Sequence, residues 1–307
     1  MAEPLYPPLV MPDGVDRGQV TVWSNGIALD ADLYRPTTID PDAALPAVVL
    51  CHGWGGSKLT AERYAALFAS AGMITLTFTQ SSWFGSGSPL QLLGDAPEFG
   101  KGAEDRHGNE ALTRVRFIRD LVAPFAWTAN LRAALDYLEG EPHVDPARIG
   151  VWATSFGGGV AVYLAAHDDR VKALTVQVAA IAPVSGPVAD LARKRAIDTA
   201  RGVIDAIPQG VDPWPDMAGT PFLAELARFD PLAQVDRLRM PTLIIDAGDD
   251  ELFAIADNGG RAAQVLRTLP GTVVEYQVIP GITHYGIYFD GYEPGSRAAL
   301  AWWKRHL

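Results

Sequence analysis

Residues 149–159 constrain the fold more than any other part of the sequence. They read Ile-Gly-Val-Trp-Ala-Thr-Ser-Phe-Gly-Gly-Gly, which is a short apolar strand, then Ser155, then glycines that open a helix. A serine in a sharp strand-to-helix turn has its hydroxyl lifted out of the sheet, and small residues two positions before and after it avoid the neighbouring strand and helix. Ala153 and Gly157 meet that requirement. The alternative interpretation is a glycine-rich turn whose serine has no chemical role.

Short apolar runs alternate with helical stretches along most of the chain. Apolar runs of this length are typical of strands buried on both faces of a parallel sheet. We predict such strands at 47–51, 74–78, 149–153, 171–178, 242–246 and 273–279, and helices at 60–71, 128–138, 157–166, 261–269 and 297–307. Two further strands, 19–23 and 27–34, flank a turn at Asn25 and Gly26 and add an antiparallel edge. The predicted fold class is α/β, with a mostly parallel central sheet covered by helices on both faces.

Two segments interrupt this alternation. The chain has 307 residues, 48% of them hydrophobic, which suits one large domain with an insertion. Residues 81–125 form a long stretch of glycine, proline and charge, and residues 182–229 are rich in proline with a basic, helix-like centre. Long insertions in a compact domain are usually functional or mobile. We therefore expect a core of 1–181 and 230–307, with 182–229 as a cap or lid.

Charge and cysteine content exclude several classes of protein. The net charge of −11 repels polyphosphates, so a nucleic-acid partner is not expected. The chain has a single cysteine, Cys51, so it cannot form an intramolecular disulfide. The first 16 residues lack a basic region followed by an apolar run, and no stretch is apolar enough to span a bilayer. These features predict a cytoplasmic protein without a membrane span, and they leave its oligomeric state open.

A serine nucleophile needs a base and an acid. The serine hydroxyl is a poor nucleophile near neutral pH unless a base lies within hydrogen-bond reach. Beyond the helix that follows Ser155, the only remaining histidines are His284, in a loop just after the last predicted strand, and His306, next to the end of a terminal helix. We expect His306 to be solvated, which favours His284. Four carboxylates lie at or just after the end of the strand 242–246: Asp246, which we expect to be still in the strand, and then Asp249, Asp250 and Glu251.

The strand-serine-helix motif, the His-Gly loop at 52–56, the acidic loop after a late strand and the histidine at 284 together resemble the α/β-hydrolase superfamily. The resemblance covers roughly residues 19–307 and is strongest to its dienelactone-hydrolase and acyl-peptidase-like branches. Two positions depart from the common pattern, because Ala153 stands where glycine is usual and dienelactone hydrolases use cysteine where this chain has Ser155. The resemblance implies an α/β-hydrolase fold and the chain order serine, acid, histidine.

The resemblance also assigns individual roles. Asp250 is the expected acid, because Asp-Glu-Leu-Phe at 250–253 resembles family loops that begin with the catalytic aspartate, and Asp249 and Glu251 are the alternatives. The backbone amide of Phe156, directly after the serine, is one expected oxyanion donor. Trp54 in the His-Gly loop is the other, and His52 is expected to be a structural hydrogen-bonding residue.

Aromatic residues in or beside the insertions are candidates for a substrate pocket, with ordinary packing as the alternative interpretation. These candidates are Trp83, Phe84, Trp127, Trp214 and Tyr285. The cluster Glu104, Asp105, His107 and Glu110 lacks the spacing of a zinc site, so we expect a solvated loop there. No metal or other cofactor is expected.

The sequence therefore predicts a serine hydrolase that cleaves a small-molecule carboxylic ester through an acyl-enzyme. One alternative keeps the same three residues but acts on an amide, thioester or peptide bond, or transfers the acyl group to an acceptor other than water, since the superfamily supports all of these. A second alternative is a non-catalytic binding protein on the same fold.

Overall fold

The computed structural model describes residues 6–94, 112–207 and 213–307. The strands are β1 (Val15–Ser24), β2 (Ile27–Pro36), β3 (Leu45–Cys51), β4 (Ile74–Phe78), β5 (Leu90–Leu93), β6 (Arg114–Phe117), β7 (Leu121–Val122), β8 (Val144–Thr154), β9 (Val171–Gln177), β10 (Thr220–Pro221), β11 (Thr242–Ala247) and β12 (Val274–Ile279). The α-helices are α1 (Glu62–Ser70), α2 (Pro124–Glu139), α3 (Phe156–Ala165), α4 (Gly186–Ala200), α5 (Leu223–Leu226), α6 (Gly259–Thr268) and α7 (Tyr292–His306). Short 3₁₀ helices lie at Lys58–Ala61, Leu232–Arg237 and Tyr285–Tyr288.

Eight strands form one sheet in the order β1-β2-β4-β3-β8-β9-β11-β12. The strand β2 pairs antiparallel with both β1 and β4. Each pair of neighbouring strands from β4 to β12 in this order is parallel. The predicted mostly parallel sheet with an antiparallel hairpin at one edge is thereby confirmed. Because parallel strands end at the same edge, the carboxyl ends of β3, β8 and β11 deliver their following loops to one side of the sheet.

Two apolar cores fill the two faces of the sheet. Along β3, Val49 and Cys51 face the core formed with α2, α3 and α6, whereas Val48 and Leu50 face the core formed with α1 and α7. Successive side chains of a strand point to opposite faces, so a run that is apolar at every position is buried on both. This explains why the central strands read as continuous apolar runs.

Several element boundaries differ from the sequence predictions for local reasons. The helix predicted at 60–71 is divided, because Ser57 and Thr60 form a capping box that opens a 3₁₀ turn before α1. The last helix, predicted from 297, begins at Tyr292 and holds Pro294 in its first turn, where a missing amide hydrogen costs nothing.

The two inserted segments meet each other. The segment 81–125 contributes the hairpin β5-β6 and the short strand β7, and the segment 182–229 contributes α4, β10 and α5. The strand β10 pairs parallel with β7 in a separate two-stranded sheet. Among residues 6–94, 112–207 and 213–307, no helix is long and apolar enough to cross a bilayer.

Candidate active site

Ser155 occupies a strained turn between β8 and α3. Its φ of 54° and ψ of −129° lie in a region that residues with side chains rarely adopt. Three backbone hydrogen bonds hold it there: its amide donates to Gln177 O at 3.0 Å, and its carbonyl oxygen accepts from Gly158 N at 2.8 Å and Ala180 N at 3.0 Å. Backbone strain that is held this firmly is typical of functional positions.

Glycines on both sides of the turn permit a close approach that larger residues would block. A Cβ at Gly157 would overlap the carbonyl oxygen of His52, and a Cβ at Gly53 would lie 2.7 Å from Ser155 Cβ. The loop after β3 therefore packs directly on the serine turn. This is the physical reason for the small residue expected two positions after Ser155.

The side chains of Ser155, His284 and Asp250 form a continuous hydrogen-bonded chain. His284 Nε2 lies 3.0 Å from Ser155 Oγ, and His284 Nδ1 lies 2.8 Å from Asp250 Oδ2. The histidine and aspartate side chains are each 1% exposed. The three residues come from the ends of β8, β11 and β12, far apart in sequence. This is the geometry that a serine nucleophile, a histidine base and an orienting acid would require.

The alternative carboxylates lie elsewhere. Asp249 is exposed. Glu251 Oε2 accepts a 2.7 Å hydrogen bond from the backbone amide of His284, so it holds the histidine loop rather than the imidazole. Asp246 is buried in β11. Of these four carboxylates, only that of Asp250 contacts the imidazole, which favours Asp250 as the acid.

Asp250 has the surroundings of an ionised carboxylate. Its Oδ1 accepts hydrogen bonds from the amides of Leu252 and Phe253, both at 2.9 Å. Burial alone would raise the pKa of Asp250, but the hydrogen bond and charge of His284 and these two amides outweigh it and hold the pKa below its usual value. An ionised Asp250 accepts the Nδ1 proton of His284, which assigns the free lone pair of Nε2 to the Ser155 hydroxyl.

The backbone amides of Phe156 and Trp54 are the two candidate oxyanion donors. Phe156 is the first residue of α3, where the helix offers its amide no internal acceptor and its dipole favours negative charge. Trp54 follows Gly53, which packs on Ser155. In the part of the chain that the structure describes, neither amide donates to a backbone carbonyl. The Trp54 ring packs edge-on against Phe156, with centroids 5.6 Å apart.

Both ring nitrogens of His52 form hydrogen bonds with backbone atoms. Its Nε2 accepts from Gln80 N at 3.1 Å, so Nδ1 carries the proton and donates to Gly53 O at 2.7 Å. Burial lowers the pKa of His52 to about 4, which keeps the ring neutral. Its neighbour Cys51 is also buried, and burial raises the pKa of that thiol to about 12. These contacts support a structural role for His52 and an unreactive thiol at Cys51.

A cavity of about 390 Å³ opens beside the serine, between the ends of the central strands and the 182–229 insertion. Its described lining residues are mostly apolar, and none is charged: they are Trp54, Ser155, Phe156, Ala180, Ala182, Pro183, Val184, Ser185, Val188, Trp214, Met217, Leu226, Phe229, Leu252, Phe253 and Asn258. Apolar concave sites with a few polar groups are typical of small-molecule pockets.

The five aromatic residues predicted for a pocket lie in different places. Trp214 lines the cavity. Trp127 is buried behind Phe156, at 5.4 Å between ring centroids, and the buried Trp83 packs against Trp127 in turn. Phe84 is 60% exposed and Tyr285 is 42% exposed, and neither is among the cavity residues.

Most of the cavity wall has no sequence signal that would identify it. Val188, Met217, Leu226 and Phe229 come from the insertion and look like ordinary packing residues in the sequence. Phe253 is a lining residue that the sequence could identify, because it follows Asp250 within the acidic loop 250–253. It lines the cavity and stands edge-on to His284 at 5.0 Å.

Among the residues that the structure describes, no group of three or more histidine, cysteine or acidic side chains is arranged to hold a metal ion. The cluster Glu104, Asp105, His107 and Glu110 lies outside the described residues.

Comparison with known proteins identifies the fold. Residues 30–179 match the dienelactone hydrolase family, a match that includes Ser155 and ends before Asp250 and His284. The quorum-quenching protein AidA of Acinetobacter baumannii (strain MDR-ZJ06) is 26% identical over 268 residues, covering 75% of this chain and 77% of that protein.

Solved structures agree with this result. The hypothetical protein PA2218 of Pseudomonas aeruginosa aligns with a TM-score of 0.67 at 19% identity, covering 100% of this chain and 98% of that one. The α/β-hydrolase GrgF of Penicillium sp. sh18 also gives 0.67, at 16% identity, covering 95% and 99%. The chain therefore has the α/β-hydrolase fold, and its residues 30–179 match the dienelactone hydrolase family.

Proposed function

We propose that the protein is a serine hydrolase that cleaves carboxylic esters through an acyl-enzyme intermediate. The observation that carries the proposal is the hydrogen-bonded chain from Asp250 through His284 to Ser155. The family match supports hydrolysis, and a dienelactone is itself a cyclic ester.

In the first half of the proposed reaction, His284 Nε2 takes the hydroxyl proton of Ser155 as Oγ attacks the ester carbonyl carbon. The amides of Trp54 and Phe156 stabilise the negative oxygen of the tetrahedral intermediate. When the intermediate collapses, the bond to the alcohol oxygen breaks and His284 returns its proton to that oxygen. The alcohol leaves, and the acyl group stays on Ser155.

In the second half, His284 takes a proton from water, which attacks the acyl carbon. The second tetrahedral intermediate uses the same two amides, and its collapse returns the proton to Ser155 Oγ and releases the carboxylic acid. Asp250 stays ionised throughout and stabilises the imidazolium.

The test is a fluorophosphonate probe with turnover of p-nitrophenyl butyrate. We expect one adduct, located on Ser155 by mass spectrometry, and measurable release of p-nitrophenol. Ser155→Ala should lose the adduct and several orders of magnitude in turnover. Ser185→Ala changes a second cavity serine and should keep the adduct. Turnover that survives in Ser155→Ala would overturn the mechanism.

The scissile bond needs its own comparison. An activated ester and the anilide of the same acid present the same acyl group and differ in the leaving atom. We expect p-nitrophenyl butyrate to be cleaved much faster than butyric p-nitroanilide. Comparable rates would move the assignment to an amidase with the same three residues.

A further inference from the structure

The cavity beside Ser155 has a direction relative to the reacting atoms. Trp54, Ser155 and Phe156 are among its lining residues, so it reaches the proposed nucleophile and the two candidate oxyanion donors. His284 is not among the described residues that line it, although its ring is 3.0 Å from Ser155 Oγ. Phe253 lies between the cavity and His284, because it lines the cavity and its ring stands edge-on to the imidazole.

The position of the cavity relative to Ser155 and His284 decides whether it can hold the acyl half or the alcohol half of an ester. The leaving oxygen must lie beside His284 Nε2, because that nitrogen gives it the proton. The acyl group extends from the same carbonyl carbon in another direction. A cavity that reaches Ser155 and the candidate oxyanion donors, and that His284 does not line, is placed for the acyl group. The alcohol then lies toward His284 and its half-exposed neighbour Tyr285.

The polar atoms of the cavity are few and mostly engaged. Asn258 Oδ1 accepts from the amides of Ile181 and Ala182, both at 2.9 Å, and its Nδ2 donates to Ala254 O at 3.1 Å. No described lining residue is charged. A charged acyl group would lose its hydration there without a compensating partner.

We infer that this cavity is an acyl site selective for neutral, apolar acyl chains, and that the alcohol side is permissive. The inference rests on the proposed ester hydrolysis and adds the substrate class. Its volume of about 390 Å³ lies at the small end of ligand pockets, which run from roughly 300 to 1,000 Å³. The acyl chain of a substrate therefore has a maximum length, which residues of the insertion such as Val188 and Phe229 set.

Two series of substrates test the orientation. In the first, p-nitrophenyl acetate, butyrate, hexanoate and octanoate vary only the acyl chain. Burying a methylene gains about 0.8 kcal/mol, so kcat/KM should rise about fourfold per methylene until the cavity is full and then fall. In the second, methyl, butyl and hexyl butyrates vary only the alcohol, and kcat/KM should change by less than about fourfold in total, the gain of one buried methylene. A steep alcohol series with a flat acyl series would overturn the inference.

A charged substrate tests the polarity. The mono-p-nitrophenyl ester of adipic acid matches p-nitrophenyl hexanoate in chain length and ends in a carboxylate. We expect its kcat/KM to be at least about 100-fold lower, the equivalent of roughly 2.7 kcal/mol. Equal rates for the two esters would overturn the claim of an apolar acyl site.

A matched pair of variants on α4 tests the location. Val188 lines the cavity, and Ile197, nine residues later, lies two and a half turns away on the opposite side of the helix and is 50% exposed. Val188→Phe should lower the octanoate-to-acetate ratio of kcat/KM at least about tenfold, because the larger side chain displaces at least about two methylenes and each lost methylene costs about fourfold. Ile197→Phe makes a comparable change outside the cavity and should leave the ratio unchanged. An unchanged ratio in Val188→Phe, with the variant folded by circular dichroism, would overturn the assignment.

The fluorophosphonate adduct separates this inference from the proposed function. If Ser155 is labelled but kcat/KM does not depend on the length of the acyl chain, the proposed hydrolase function is kept and the inferred acyl site is overturned. Absence of both labelling and turnover in a folded sample overturns the function, and the acyl site with it.

Discussion

The indole nitrogen Nε1 of Trp54 donates a 2.5 Å hydrogen bond to the carbonyl oxygen of Ala218. Trp54 carries a candidate oxyanion amide, and Ala218 belongs to the 182–229 insertion. The same ring packs edge-on against Trp214 of the insertion, with centroids 5.5 Å apart. The insertion therefore contacts the loop that would stabilise the transition state as well as the cavity that would bind the substrate.

Trp54→Phe removes this hydrogen bond and keeps an aromatic ring and the backbone amide. One net hydrogen bond contributes about 0.5–1.5 kcal/mol, so we expect kcat to fall by up to about tenfold if the bond holds the loop in its working position. The affinity for a boronic acid, which mimics the tetrahedral intermediate, should fall by the same factor, and KM should change little.

Trp23→Phe is the control for that substitution. Trp23 lies on β1 and is 67% exposed, so the same change there should alter neither kcat nor boronate affinity. If Trp54→Phe raises KM and leaves kcat and boronate binding unchanged, the ring serves only as cavity wall.

Asp250→Asn tests the choice of acid. An amide at this position no longer fixes the Nδ1 proton of His284, so the imidazole can present its Nε2 proton to Ser155 instead of a lone pair. We expect kcat to fall by roughly 10³–10⁴-fold in p-nitrophenyl butyrate turnover. Asp249→Asn changes the adjacent, exposed carboxylate and should remain within about twofold of wild type, as is usual for exposed positions. The reverse ranking would transfer the role to Asp249.

The sequence identified the sheet and the serine turn because both depend on local patterns. A strand buried on both faces is mostly apolar along its length, and the turn at Ser155 needs Gly157 within two residues. The acid is harder to identify from sequence, since four carboxylates lie within or just after the same strand and only the distance to His284, 34 residues after Asp250, separates them. Glu251 in particular was a reasonable alternative, and its contact with the His284 amide could not be read from spacing.

Sequence patterns cannot predict the cavity, and the reason is physical. Its wall combines residues that follow four strands, β3, β8, β9 and β11, with residues of the insertion, and no periodicity marks a side chain that faces a cavity instead of a core. Trp127 and Trp83 illustrate the problem, because both are aromatic residues near the insertions and both are buried in packing. That the insertion moves as a lid remains a prediction.

Gly157→Ala tests whether the close packing of the serine turn is required. An added methyl group would overlap the carbonyl oxygen of His52, and backbone atoms there cannot move without displacing Gly53 and Trp54. We expect a loss of about 1–3 kcal/mol in the free energy of unfolding by urea denaturation, the usual cost of overpacking, and loss of fluorophosphonate labelling. Gly18→Ala is the matched control, because a Cβ at Gly18 meets nothing within 4 Å. A fully labelled, stable Gly157→Ala protein would show that the turn tolerates a larger residue.

Asp246→Asn should change the dependence of stability on pH. Asp246 is 1% exposed at the end of β11, and its Oδ2 has no hydrogen-bond partner among the described residues. Burial, opposed by a hydrogen bond from Tyr276 and assisted by the charge of Asp250, raises the pKa of Asp246 from 3.8 to about 7. Between these two values the folded protein keeps a proton that the unfolded chain has released, so this group makes folding less favourable as the pH rises from about 4 to about 7. Above pH 7 the penalty is constant, and it is at most about 4 kcal/mol at 1.36 kcal/mol per pKa unit. Asparagine cannot ionise, so urea denaturation at pH 5, 6, 7 and 8 should show the variant gaining stability relative to wild type up to about pH 7 and then holding a constant advantage. A difference between the two proteins that stays flat across this range, or that grows in the opposite direction, would show that Asp246 is ionised in the folded protein.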